Sequence, residues 1–120
     1  VRDFKTLQVW EKSHQVVLAI YRATAAFPKD ELYGLTSQMR RAAVSISANI
    51  AEGCGRNGDA ELARFLQISM GSASELEYYL RLALDLGFIN GEGFTSLERD
   101  LVEVKRMLNS FLQKLRMSPA

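Results

Sequence analysis

The sequence has one cysteine, Cys54, one histidine, His14, and two prolines, Pro28 and Pro119. A lone cysteine excludes an intramolecular disulfide and a cysteine-rich zinc site, so redox chemistry is not expected. A lone histidine excludes the di-iron type of helical metal centre, which needs two Glu-x-x-His pairs. So little proline permits long helices almost everywhere. Long apolar runs are missing too. The uncharged stretch 42–51 contains Ser45, Ser47 and Asn49 and falls far short of the roughly 20 apolar residues of a membrane span. No apolar segment ending in small residues follows the charged first residues, so a secretory signal is not expected and a cytoplasmic location is. An excess of one charge is also lacking. Fifteen Lys and Arg against fourteen Asp and Glu leave a net charge of +1, so any contact with nucleic acid must come from a local patch.

What is present is hydrophobic periodicity at helical spacing. At 120 residues the chain is long enough for one domain with a real core and too short for two. Ser13, Val16, Val17, Ile20, Thr24 and Phe27 recur every three or four residues and predict a first helix over about 8–27, stopped by Pro28. Thr36 or Ser37 is the natural cap of a second helix over about 36–53, with Leu35, Met39, Ala42, Ile46, Asn49 and Gly53 facing inward. Its other positions are small: Ala43, Ser45, Ser47, Ala48 and Ala51 let neighbouring helices approach closely. The run Gly53-Cys54-Gly55-Arg56-Asn57-Gly58 is the clearest loop.

A third helix, capped by Asp59, is predicted over about 59–86, roughly 42 Å long, with Gly87 as its stop. Leu62, Leu66, Ser69, Ala73, Leu76, Leu80 and Ala83 form its core stripe, and Glu77 is expected to pair with Arg81 on the outside. A fourth helix is predicted over about 95–116, with Thr95 and Glu98 as a capping box and a slightly earlier start as the alternative. Leu97, Leu101, Val104, Leu108, Phe111 and Leu115 face inward. Nothing reads as a strand. Four helices with short connections predict an all-α, up-down-up-down antiparallel four-helix bundle.

Two helices carry more apolar surface than such a bundle needs. The third has a second line, Phe65, Ile68, Ser72, Glu75, Tyr79, Leu82 and Leu86, and the first has an edge of Trp10, Val17, Tyr21 and Thr24. Wide faces serve a thick core or a subunit interface, and the second reading is favoured here. Trp10, Tyr21, Phe65, Ile68, Glu75, Tyr79 and Leu82 are the candidate interface residues, with Glu75 expected in a buried salt bridge across it.

Enzymatic motifs are weak. Cys54 has no evident base or orienting partner, and the glycine-rich loop lacks the Gly-Lys-Ser/Thr ending of a phosphate loop and follows a helix. Neither metal nor cofactor is expected. Arg40 and Arg41 near the start of the second helix, with Arg56 and Arg64 around the next junction, are candidate phosphate contacts that oligomer symmetry could assemble into a basic belt. Taken singly they are ordinary solvated charges. Lys105, Arg106, Lys114 and Arg116 extend that patch or balance the last helix dipole. Asn49, on the expected inner stripe, needs hydrogen-bond partners.

The segment 33–46, Tyr-Gly-Leu-Thr-Ser-Gln-Met-Arg-Arg-Ala-Ala-Val-Ser-Ile, continuing through Asn49-Ile50-Ala51-Glu52-Gly53, resembles the signature of the bacterial four-helix-bundle proteins encoded in intervening sequences of 23S ribosomal RNA genes. Val9-Trp10, Phe27-Pro28, Glu61 with Phe65-Leu66, Gly71-Ser72 with Glu75-Leu76-Glu77, and Arg106-Met107-Leu108 spread the resemblance over most of the chain. It implies a homopentameric ring. It also implies kinship with the accessory protein of diversity-generating retroelements, a similar pentamer that binds a reverse transcriptase and nucleic acid through basic surfaces. One departure is Gly58, where the pattern has a serine cap before Glu61, a duty that Asp59 is expected to take over.

The sequence therefore predicts a non-enzymatic homo-oligomer that binds RNA or DNA through Arg40, Arg41, Arg56 and Arg64. The competing reading is a protein-interaction scaffold that takes a protein partner and no nucleic acid. Neither reading involves a membrane.

Overall fold

Periodicity of this kind requires each helix to bury one face against its neighbours, and the computed structural model, which describes residues 2–117, has that arrangement. Helix α1 spans Gln8–Thr24, α2 Leu35–Cys54, α3 Asp59–Asp85 and α4 Gly91–Met117, with short 3₁₀ turns at Phe4–Thr6 and Lys29–Glu31. Pro119 lies outside the described residues, among which there is no strand. Helix α2 packs against α1 and α3, and α4 closes the circuit by packing against both of those. This all-α packing is compatible with a bundle. It is drawn out to 49 Å along its long axis, as helices of 27 residues at about 1.5 Å per residue require.

The helix ends differ from the sequence expectation at each junction, for local reasons. Helix α1 stops at Thr24 rather than Phe27, because the chain tightens ahead of Pro28: the Ala26 and Phe27 amides donate to carbonyls three residues back, at Ala23 and Thr24. This turns Phe27 inward against Phe88, ring centroids 5.6 Å apart. Helix α2 is capped neither by Thr36, which is buried, nor by Ser37. The Glu31 carboxylate reaches over from the preceding turn and accepts from the Leu35 amide at 3.1 Å, a favourable place for negative charge. Helix α2 runs one residue past Gly53, so Cys54 ends a helix rather than lying in a loop.

Asp59 is the first residue of α3 and makes no capping bond; Gly58, at φ +88°, occupies the cap position, a conformation that favours glycine. Helix α4 begins at Gly91, four residues before the predicted capping box. Asn90 is its cap, its Oδ1 accepting from the Gly93 amide at 2.7 Å. Glycines 91 and 93 lie in its first turn.

The predicted stripes of α1 and α3 are buried without exception. On α2 the inward residue is Ile50 rather than Asn49, and on α4 it is Leu112 rather than the half-buried Phe111. Asn49 is half-buried on α2, where its Nδ2 donates to the Ser45 carbonyl at 2.8 Å and to the Ser45 Oγ at 3.0 Å. Fully buried Ile20, Ile46, Leu66, Leu76, Leu101 and Leu108 contribute about 1.5–3 kcal/mol each by leaving water.

Small residues set the spacing of α2 and α3. Ser69 Oγ donates to the Ile46 carbonyl at 2.8 Å, and the Ser45 and Ser72 hydroxyls meet at 2.7 Å. On the other side of α2, Ser47 meets Ser13 at 2.8 Å; because Ser13 directs its proton to the Trp10 carbonyl, Ser47 is the donor. Among the described residues no buried side-chain nitrogen or oxygen lacks a partner.

At Gly53 a Cβ would stand 2.9 Å from the Phe65 Cβ and 3.0 Å from the Leu62 Cδ1. A Gly53→Ala variant therefore sets a helix-propensity gain of about 1 kcal/mol against overpacking of roughly 1–3 kcal/mol. We expect net destabilisation, read as a lower urea midpoint with an unchanged m-value. An unchanged or higher midpoint would show that the two helices separate without cost.

Candidate nucleic-acid and subunit interfaces

The four candidate arginines fall into two groups, about 22 Å apart along α2. Arg40 and Arg41 occupy the first half of α2. The Arg40 Nε donates to Thr24 Oγ1 at 2.9 Å, Thr24 passes its own proton to the Ile20 carbonyl at 2.7 Å, and the guanidinium carbon lies 4.7 Å from the centre of the Tyr21 ring. Arg41 is exposed. Among the described residues, neither has a carboxylate within salt-bridge distance. They line a shallow groove of about 640 Å³, with Tyr21, Leu32, Tyr33 and Val44 as its apolar walls.

Arg56 and Arg64 instead enclose Phe65, their guanidinium carbons 5.1 and 4.5 Å from the ring centre. Each is matched by a carboxylate on its own side of the junction: Arg56 to Glu52 at 2.8 Å and Arg64 to Glu61 at 2.9 Å. The Arg64 hydrogen bond and charge hold the Glu61 carboxyl below its ordinary value and the Arg64 guanidinium above its own. Each arginine of this second pair is therefore partly offset by an exposed local carboxylate. The four residues do not form one patch on a single chain.

The candidate subunit residues also divide. Phe65 is buried within its own chain, and Trp10 is half-buried between Phe4, at 4.9 Å, and His14, stacked at 5.0 Å and nearly parallel. Tyr21 is exposed but lies beneath Arg40. Ile68 and Glu75 are exposed on α3, with Tyr79 and Leu82 half-buried beside them. Glu75, expected in a buried salt bridge, is thus open on the single chain, because its helix turns it outward. Burial, and after it the charge of Glu75, push the Tyr79 phenol up. The expected Glu77–Arg81 pair is not made: Glu77 meets Lys105 of α4 at 2.8 Å, and Arg81 covers Phe94 at 4.9 Å. The neighbouring helix supplies closer partners than the next turn. Leu32, Tyr33 and Val44 were missed as surface features. Tyr33, 91% exposed, was legible only as an aromatic in a short connection beside Gly34.

His14, Asn49, Glu52 and Cys54 do not converge. His14 stacks on Trp10, Glu52 holds Arg56, Cys54 is buried at the end of α2, and only Asn49 lines the groove. Desolvation pushes the Cys54 thiol up. Among the described residues no cluster of three or more His, Cys, Asp or Glu could hold a metal, and no helix is long and apolar enough to cross a membrane.

Comparison with known proteins places this geometry. Residues 5–110 match the family of the 23S rRNA-intervening sequence protein. The structure is similar to the crystal structure of a protein of unknown function from the S23 ribosomal protein family of Bacteroides thetaiotaomicron, with a TM-score of 0.79 and 27% identity, covering 88% of this chain and 98% of that one. No curated protein matches.

Two solution measurements follow from these environments. Because the Glu61 carboxyl is held low, its pair with Arg64 favours the folded chain above the ordinary carboxylate value and is lost as pH falls through the lowered one. In an NMR titration, Arg64→Ala should move the Glu61 midpoint upward; an unmoved midpoint would show that the pair is not made in solution. Cys54, buried with a raised thiol, should react with a disulfide reagent at neutral pH at least about tenfold more slowly in the native protein than in denaturant. Equal rates would contradict its burial.

Proposed function

The chain belongs to the 23S rRNA-intervening sequence protein family, and from that premise we propose that it is a non-enzymatic, cytoplasmic, homo-oligomeric four-helix bundle that binds nucleic acid, RNA in particular, through a basic surface. The observation that carries the proposal is the pair Arg40 and Arg41, adjacent cations that among the described residues have no carboxylate at salt-bridge distance and that stand beside exposed aromatic surface. With a net charge of only +1, affinity rests on how cations are grouped rather than on the total. Arg56 and Arg64 serve this surface less, because Glu52 and Glu61 already match them.

The chain acts as one up-down-up-down antiparallel domain in this reading. Contacts whose residue numbers run in opposite directions support it: Thr24 meets Arg40 while Ser13 meets Ser47, and Gln38 meets Tyr79 while Ser45 meets Ser72. Assembly into a homopentamer uses the α3 line of Ile68, Glu75, Tyr79 and Leu82, which the single chain leaves wholly or partly open. The competing reading, a scaffold for a protein partner, draws on the same apolar surface and on the matched charges at the second arginine pair.

Light scattering tests the assembly: a mass near five times 13.5 kDa is expected, and a mass near 13.5 kDa would overturn it. For function, labelled RNA and DNA should bind with an affinity that falls steeply between about 50 and 200 mM salt. Charge reversal of Arg40 and Arg41 together should abolish that binding. Absence of binding at low salt leaves the scaffold reading in place.

A further inference from the structure

The two arginine pairs offer a ligand very different things. At Arg56 and Arg64 an incoming phosphate must compete with a carboxylate already in place. In the groove along the outer face of α2, bordered by Tyr21 of α1, it meets cations that among the described residues have none. Arg40 is also held in advance: Thr24 takes its Nε hydrogen and Tyr21 supports its flat face. Among the described residues no protein acceptor takes its Nη hydrogens. A guanidinium fixed at its inner edge, with its outer donors unused, suits a phosphate oxygen, because little side-chain freedom remains to be lost on binding.

Tyr33 supplies the second element. Among the described residues it has the highest fractional exposure of the large hydrophobic side chains, 91%, so its ring is open to solvent. Its backbone stands in a braced connection: the Gly34 amide donates to the Glu31 carbonyl at 3.0 Å, and the Glu31 carboxylate accepts from the Leu35 amide. The same groove carries Ser37 and Asn49. The Asn49 amide nitrogen is engaged by Ser45, which leaves its carbonyl oxygen as an acceptor for a base amino group. An open aromatic ring beside cations without carboxylate partners is the combination that single-stranded nucleic acid uses, since every unpaired base has a face to stack. In a duplex the base faces are covered by their neighbours, and Tyr33 has nothing to stack on.

We propose that this groove is a binding site for a short run of unpaired nucleotides, RNA by preference, in which Tyr33 stacks on a base and Arg40 and Arg41 hold the flanking phosphates. The inference rests on the nucleic-acid reading above and narrows it to one site and one class of strand. Charge favours this occupant: the groove's lining holds no carboxylate, and a nucleic-acid strand brings a phosphate at every nucleotide. Recognition is tolerant of sequence, because stacking and phosphate contacts carry most of it.

Fluorescence anisotropy tests the site, using a short labelled oligouridine and a perfectly paired RNA duplex of equal length at about 50 mM salt. Wild-type protein should favour the single strand by at least about tenfold. Tyr33→Ala should weaken single-strand binding about tenfold while leaving its salt dependence unchanged, and Tyr33→Phe should restore it. Arg41→Glu should weaken binding and reduce the salt slope by about one, whereas Arg64→Glu should do neither to a comparable degree. Circular dichroism and light scattering accompany each variant. If wild-type protein binds the strand and Tyr33→Ala binds it equally well, or if the duplex competes equally, the site is wrong and the nucleic-acid reading stands. If wild-type protein binds neither probe, both fall. If Tyr33→Ala or Arg41→Glu folds normally but changes the mass of the assembly, the groove is a contact between copies and the proposal is overturned.

Discussion

Close approach of α2 to α3 is the constraint on which the rest of the structure depends. Gly53 brings the end of α2 against Leu62 and Phe65, and the Ser45–Ser72 and Ser69–Ile46 hydrogen bonds hold the same spacing further along. Residues of this size leave no room for a second apolar layer between the helices, so contact is made by backbone and short side chains. Polar groups are admitted there because each finds a partner. An unmet hydroxyl at Ser69 would cost about 1–3 kcal/mol, more than most single contacts contribute.

That spacing determines what remains outside. With one side of α2 pressed on α3 and another on α1 through Ser13 and Ser47, its outward strip is narrow and carries Ser37, Arg41, Val44 and Ala48. Tyr21 and Leu32 rise beside it and make the groove. The first arginine pair therefore owes its setting to the helix packing. Arg40 is clamped because Thr24 and Tyr21 of α1 lie within reach, and Arg41 projects because α2 turns it away. At the other end of α2, Glu52 lies four residues before Arg56 and Glu61 three residues before Arg64, and charges that resemble a phosphate site each meet a carboxylate of their own segment.

Glu77 and Arg81 teach a similar lesson about surface charge. Spacing of four residues on one helix is a sound reason to expect a pair, yet Lys105 on α4 takes Glu77 and the Phe94 ring takes Arg81. Pairs within a helix are worth only a few tenths of a kcal/mol, so any well-placed side chain from a neighbouring helix can outcompete them. Charge placement is accordingly less legible from one strand of sequence than apolar placement, which is repeated at every turn and enforced by the whole core.

Apolar periodicity by itself determined the all-α class, four helices, and the buried faces of α1 and α3, because a stripe such as Leu62, Leu66, Ser69 and Ala73 has only one way to leave water. The signature around Tyr33 to Gly53 was enough to identify the family. Helix ends escaped that reading where the cap came from an unexpected residue, as with Glu31 and Asn90, since a single hydrogen bond moves a boundary without altering the periodicity. The pairs that match Arg56 and Arg64 are three- and four-residue spacings already present in the sequence, whereas only tertiary structure decided that Arg40 is held by Thr24 and Tyr21, and that Phe65 belongs to the core while Tyr33 belongs to the surface. The core and surface outcome depends on which residues of other helices lie within a few ångströms, a distance that sequence separation does not encode.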